Sequence, residues 1–207
     1  MQSEKQYIDL YTEAQQLIKE HAAPVLNEVR DKAFEDFRRQ SFPTKKVERY
    51  KYTDMQKLFE PDYGLNLNRL EIPVNPYETF KCDVPNLSTS LYFVVNDQFY
   101  SKALPKAKLN DGVIVDSLNR VATERPELVA KYYGRLANTE ADAITALNTM
   151  LAQDGLFIYV PKNVQLERTI QAINILRSDV DLMVNRRVLI VLEEGAKAQF
   201  LFCDHAA

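Results

Sequence analysis

The sequence has no tryptophan, only two cysteines, two histidines and five glycines, and each shortage closes off a class of chemistry. Cys82 and Cys203 stand far apart with no CxxC pair, so neither a disulfide framework nor a zinc ribbon is encoded, and reduced thiols are the expectation. So few glycines leave no GxGxxG and no GxxxxGK[ST], which removes the glycine loop that cradles phosphate. With His21 and His205 as the only histidines, no Ser/His/Asp or Cys/His/Asn set assembles. Apolar runs are short, far below the roughly 20 residues that cross a bilayer. The opening MQSEKQYIDLYTEAQQ is polar and acidic, unlike a secretory leader. A net charge of −3 exerts no global pull on nucleic acid or an anionic membrane. A cytoplasmic protein that binds neither is expected.

Apolar character gathers instead between Leu147 and Ala207. Residues 156–160 and 188–192 are apolar on both parities, the pattern of strands covered on both faces. Turn residues recur at Asp154-Gly155, Pro161-Lys162-Asn163, Asn185-Arg186 and Glu193-Glu194-Gly195. Strand starts then fall near 156, 169, 187 and 196. The last strand places Ala196, Ala198, Phe200 and Phe202 on one face, with Lys197, Gln199, Leu201 and Cys203 on the other. Short strands at this spacing predict the first rungs of a β-helix (β-solenoid). Each coil buries its face only against its neighbours, and nothing here resembles a cap. The expectation is a truncated solenoid, either the N-terminal part of a longer protein or one that pairs its open end with another chain.

Ahead of that stretch, Tyr7, Leu10, Tyr11, Ala14, Leu17, Ile18 and His21 share a helical stripe, and Val25, Leu26, Val29, Ala33 and Phe37 resume it after Pro24. Two helices, or one kinked at Ala23-Pro24, are predicted. Residues 91–100 read as a hairpin turning at Asn96-Asp97, and residues 111–115 as another short strand. Ser117 is placed to cap a helix through Arg125, and Pro126 to start the next. Thr139-Glu140-Ala141-Asp142 resembles a capping box before the stripe Ile144, Leu147, Leu151. Residues 59–86, rich in Pro and Asn, read as extended surface connections. The fold class is α+β, with a helical and mixed docking domain over 1–152 and the start of the β-helix core over 153–207.

The candidate sites are few. Cys203 and His205 lie two apart on a strand and so share a face, and both suit zinc or iron. A closed tetrahedral site takes four ligands, so no metal centre is expected unless neighbouring rungs or another chain add to this pair. His21 is read as a core or interface histidine, and Cys82 as a lone thiol beside Lys81. Glu193 and Glu194 point to opposite faces and are read as a turn, with Asp179 and Asp181 as loop residues. Over residues 38–53, six basic side chains interleave with Phe42, Tyr50 and Tyr52. Single-stranded nucleic acid can bind such a pattern, but a solvated structural turn is the preferred reading.

Two stretches carry a resemblance. One is Arg39, Phe42-Pro43-Thr44-Lys45-Lys46 and Glu48-Arg49-Tyr50-Lys51-Tyr52-Thr53. The other runs through Ala143, Ala146-Leu147-Asn148, Asp154-Gly155, Ile158-Tyr159-Val160-Pro161, Glu167, Ile170, Arg187, Ile190-Val191, Glu194-Gly195-Ala196 and Ala198. In this order they resemble the SufB/SufD family of iron–sulfur cluster assembly proteins. The first is similar to the SufD-type signature, a proline ahead of a basic pair and then Glu-x-Trp-Lys/Arg-Tyr-Thr, with Tyr50 where the family usually has tryptophan.

The resemblance implies a scaffold of the SUF system rather than an enzyme. It implies pairing with SufB-like and SufC-like proteins, the latter an ABC-type ATPase, with a homodimer as a further assembly. An Fe–S cluster and a reduced flavin are implied only for the assembled complex. Cluster chemistry and the ATPase contact fall beyond Ala207 in the family pattern, so no catalytic, cofactor or metal residue carries over. The signature residues that do carry over are Arg39, Pro43, Glu48, Tyr50, Lys51, Tyr52, Thr53, Asp154 and Gly155. Two other readings remain. A carbohydrate-active β-solenoid needs paired carboxylates, which Lys197, Gln199 and Leu201 do not supply. A nucleic-acid-binding module through residues 38–53 would show itself by salt-dependent binding.

Overall fold

A computed structural model describes residues 2–70, 75–80, 89–102, 104, 109–110, 112–177 and 181–206. Cys82, Asp111 and Asp179 therefore lie outside the described residues. In chain order come helices α1 (Gln2–Glu20), α2 (Pro24–Asn27), α3 (Arg30–Arg39), α4 (Met55–Leu58) and α5 (Pro76–Thr79), then strands β1 (Thr89–Val95), β2 (Gln98–Phe99) and β3 (Ile114–Ser117). Helices α6 (Leu118–Glu124), α7 (Pro126–Ala130) and α8 (Ala143–Leu151) follow, and then β4 (Asp154–Val160), β5 (Thr169–Leu176), β6 (Arg186–Leu192) and β7 (Phe200–Ala206). The chain is α+β. It divides into two compact units, Met1–Leu70 with Ala122–Gln153 and Val180–Asn185, and Glu71–Val121 with Asp154–Asp179 and Arg186–Ala207. No described helix is long and apolar enough to cross a membrane.

In the first unit the α1 stripe buries Tyr7, Tyr11 and Ile18. Pro24 breaks the helix as its missing N–H requires, but into three pieces rather than two. These faces join Ala33, Phe37, Phe42 and Met55 with Ala146, Leu147 and Met150 of α8 in one core. His21 departs from the stripe and is exposed. The helix ends at Glu20, and Ala22 and Ala23 take the buried positions instead.

Both ends of α8 are capped by side chains. The Asp142 Oδ1 accepts the amides of Ile144 at 2.8 Å and Thr145 at 3.3 Å. At the other end the buried Arg30 donates to the Met150 carbonyl at 2.9 Å, while its Nε donates to Asn27 Oδ1 at 2.7 Å. A helix leaves its terminal amides and carbonyls without partners, and its dipole favours an anion at the first end and a cation at the last. The capping box expected at Thr139 is corrected: Asp142, immediately ahead of the helix, reaches its amides directly. Thr139 instead donates to Asp36 at 2.5 Å, and Glu140 pairs with Lys32 at 2.6 Å.

In the second unit, the last four strands alternate between two sheets. β4 pairs in parallel with β6 and β5 with β7, giving the orders β3-β4-β6 and β2-β1-β5-β7. The predicted hairpin is present, with Val95 opposite Gln98 and Asn96 at φ 55°. Tyr92, Val94, Ile170 and Ala172 from one sheet bury together with Val115, Leu156, Ile158 and Val160 from the other. The opposite face of β5 buries Ile173 and Ile175 with Phe93, under Phe80. Residues 156–160 are covered on both faces, as expected: Phe157, on the face away from that core, is fully buried and Tyr159 half-buried. Residues 188–192 are not: Val188 is 38% and Leu192 46% exposed, because β6 ends its sheet and has a neighbour on one side only. The last strand also begins later than expected, at Phe200, with Lys197 making only an isolated bridge to Gln165. Phe202, on the outermost strand, is 43% exposed.

Asp154 and Gly155 are the first residues of β4 rather than a turn. The buried Asp154 carboxylate accepts Ser117 Oγ at 2.8 Å, Asn119 N at 3.0 Å and Phe99 N at 3.3 Å. It thereby ties together the hairpin, the start of α6 and the head of β4. Ser117 accepts the Arg120 amide at 3.0 Å, the cap its sequence position predicts. Gly155 has φ +153°, and a Cβ there would lie 1.8 Å from the Arg187 carbonyl oxygen. No side chain fits between β4 and β6 at this register.

Gly155→Ala is therefore expected to destabilise the protein by about 3 kcal/mol or more, through overpacking against backbone. Thermal melts of the two proteins check this; an unshifted midpoint would contradict the close approach of Arg187.

Candidate partner-docking site

The segment from the end of α3 into α4 carries the first signature and closes on α8. Arg39 is exposed, and its guanidinium bonds the buried carboxylate of Asp36, which also accepts Lys32 Nζ at 2.7 Å and the Thr139 hydroxyl. Burial alone would raise the Asp36 pKa, but the hydrogen bonds from Lys32, Thr139 and Arg39 outweigh it and hold the carboxyl below the ordinary aspartate range. The chain then turns inward at Phe42, which stacks on Phe59 at 4.8 Å and meets Tyr7 and Phe37 edge-on. Glu4 accepts the Phe42 amide at 3.0 Å. Pro43 leads back toward solvent along an open cavity of about 400 Å³.

A 3-10 turn, Glu48–Tyr50, aims two donors at one carboxylate oxygen. The Tyr50 hydroxyl donates to Asp142 Oδ2 at 2.6 Å and Arg49 donates to it at 2.8 Å. The other oxygen, Oδ1, caps α8. Burial pushes the Asp142 pKa up, and the bonds from Tyr50, the two helix amides and Arg49 more than reverse this. The Tyr50 hydroxyl is raised, first by burial and then by its bond to Asp142. Tyrosine here keeps a ring with a donor at its far end, the property it shares with the tryptophan usual at this place. The remaining signature residues face outward. Glu48 pairs with Lys51, whose ammonium also lies 5.1 Å from the centre of the Tyr52 ring. Tyr52 is 90% exposed, and the Thr53 amide donates to Tyr50 O at 2.9 Å.

The first signature is thus anchored at Arg39, Phe42 and Tyr50 and presents Pro43, Lys51 and Tyr52. Through Asp142 it touches α8, which opens the second signature stretch. Of the residues that make this join, the sequence pattern places Asp142 at the last position of a capping box rather than as the cap itself, and does not single out Asp36. A readable signal existed for Asp142, an Asp directly before Ala143-Ile144. None existed for Asp36, whose partners come from the helix itself and from Thr139. The nucleic-acid reading of residues 38–53 fits poorly: Phe42 is core, Tyr50 is bonded to Asp142, and only Tyr52 offers an open ring.

Cys203 and His205 do share a face of β7. Cys203 Sγ accepts Gln171 Nε2 at 3.6 Å, and the His205 ring stands edge-on to Phe80 at 4.9 Å. Asp204 between them bonds Asn174 at 2.9 Å and Arg186 at 2.7 Å. Among the described residues no three His, Cys, Asp or Glu side chains converge on a metal-sized space. Glu194 pairs with Lys162 at 2.6 Å in a turn, and Asp181 uses its carbonyl to accept the Gly64 amide. A second open cavity, of about 540 Å³, lies between Val25, Val29, Ala130 and Tyr133.

Asp142→Ala should cost about 1–2 kcal/mol through the lost cap, and Tyr50→Phe about 0.5–1.5 kcal/mol through the lost hydrogen bond. Chemical denaturation of the double variant should show less than the sum, since both act through one carboxylate. Because folding lowers the Asp142 pKa, its contribution is present above the unfolded-state value and is lost as pH falls through the folded one. An acid titration should show this loss in the wild type and a smaller one in Asp142→Asn.

Residues 1–172 match the family model described as the SufBD protein N-terminal region. The chain is 34% identical over 121 residues, 58% of its length and 27% of the relative's, to the iron–sulfur cluster assembly protein SufD of Bacillus subtilis (strain 168). It is 35% identical over 97 residues, 46% of its length and 20% of the relative's, to a SufBD family protein of Synechocystis. A SufBD family protein of Arabidopsis thaliana is 27% identical over 141 residues, 68% of this chain and 29% of that one. The matched stretches thus span less than a third of each relative. With a family match over most of its length, the chain belongs to the SufBD family.

Proposed function

We propose that this chain acts as part of a scaffold subunit of the SUF iron–sulfur cluster assembly machinery, in the cytoplasm, with SufB-like and SufC-like partners. The observation that carries this reading is the family match over residues 1–172, and relatives bearing the name of cluster assembly support it. In this role the chain catalyses no step; it positions partners. The cluster is cargo of the assembled complex.

We also propose the division into a docking domain over 1–152 and the start of a β-helix core over 153–207. Its support is the pairing of every second strand, β4 with β6 and β5 with β7, in parallel, which is how coils of a solenoid stack. The exposed apolar side chains of β6 and β7 suit cover by a further coil or by a second copy of the chain. The signature residues Arg39, Pro43, Glu48, Tyr50, Lys51, Tyr52 and Thr53 then shape a docking surface, while Asp154 and Gly155 set the first coil.

Purifying the tagged full-length protein from its own cells tests the reading. Stoichiometric co-elution with a SufB-like protein and an ABC-type ATPase is expected, and the chain alone should neither hydrolyse ATP nor hold stoichiometric iron. Isolation with neither partner, or ATP hydrolysis by this chain alone, would overturn it.

A further inference from the structure

We propose that residues 43–58 form a docking groove for a short acidic segment of a partner protein that carries one bulky apolar side chain. The groove is the open cavity of about 400 Å³ beside the first signature. Its lining is Met55, buried, Pro43 and Gln56, half-buried, and Thr44, Lys45, Lys46 and Asp54, exposed, so two lysines there face one acid. A cavity of this size with an apolar base accommodates one large side chain.

Charge says what should flank that side chain. The whole chain carries −3, yet residues 38–57 hold seven basic side chains against two acidic ones. Five of the seven are answered within the fold: Arg38 by Glu35, Arg39 by Asp36, Lys45 by Asp54, Arg49 by Asp142 and Lys51 by Glu48. Lys46 and Lys57 make no side-chain ion pair among the described residues; Lys57 is near only Asp54, which Lys45 already bonds. Lys46 lines the cavity, and Lys57 belongs to α4, the helix that supplies Met55. The same stretch exposes Val47, Tyr52 and Leu58. A surplus of basic charge beside exposed apolar side chains and a cavity matches a ligand with carboxylates around an apolar anchor.

A nucleic acid is disfavoured, because it needs several free rings on which successive bases stack. Here Tyr52 alone is open, and Lys51 already lies over its ring. The proposal extends the scaffold reading by naming a partner chemistry, but its test uses no cluster-assembly partner, so either can fail without the other.

The probe is a labelled peptide of glutamates flanking a Leu-Phe pair, titrated with the 207-residue chain and read by fluorescence anisotropy. Binding should weaken with added salt and fall about fivefold or more in the double variant Lys46→Glu, Lys57→Glu. Thr44→Trp, which fills the cavity, should weaken it without a change of charge. Peptides with lysine for glutamate, or serine for the Leu-Phe pair, should bind more weakly than the probe. Circular dichroism checks that both variants fold, as expected for exposed positions. Equal binding of acidic and basic peptides, or unchanged binding by the Lys46/Lys57 double variant, would overturn the proposal. So would tighter binding of a single-stranded oligonucleotide or of phosphatidylserine vesicles than of the peptide.

Discussion

The carboxylate of Asp142 serves two structures at once. One oxygen satisfies the first amides of α8, and the other receives Tyr50 and Arg49 from a turn more than ninety positions earlier in the sequence. A carboxylate drawn out of water is costly unless donors surround it, so once α8 forms, the turn must close on it or leave the charge poorly met. Asp36 repeats the logic one helix away, with Lys32, Arg39 and Thr139 as donors. Together these two acids hold the basic segment in a defined path across the helices, so its outward face has a fixed shape.

The second unit rests on a different constraint, the close approach of backbones. β4 and β6 lie so near at Gly155 that the Arg187 carbonyl occupies the place of a side chain. Beside it, Asp154 gathers donors from β2, β3 and α6. The Asp-Gly pair therefore sets register rather than making a turn: the acid holds what precedes the sheet, and the glycine lets the next parallel strand come alongside. The apolar side chains left exposed on β6 and β7 follow from the same geometry, since each outermost strand is covered on one side only.

These two arrangements assign different work to the two signatures. The first is a surface device, anchored inward by Arg39, Phe42 and Tyr50 and turned outward at Lys46, Lys51 and Tyr52. The second is a packing device, which brings β6 alongside β4 at Gly155. The proposed scaffold role draws on both, one to be recognised and one to hold its shape.

Local patterns by themselves determined the helical stripe of α1, its break at Pro24, the Asn96-Asp97 hairpin, the Ser117 cap and the doubly covered strand at residues 156–160. Each rests on periodicity or on a turn residue, which act within a few positions. The family likeness was legible for the same reason, as short runs in order. What the sequence left open was decided by contacts between distant residues. Asp142 rather than Thr139 caps α8 because the helix starts at Ala143, and Thr139 bonds Asp36 instead. His21 left the stripe because α1 ends one residue before it. The strand at residues 188–192 stayed half open because its sheet ends there. Pairings of that kind, Tyr50 with Asp142 above all, depend on where the chain returns in space, and no local spacing encodes that.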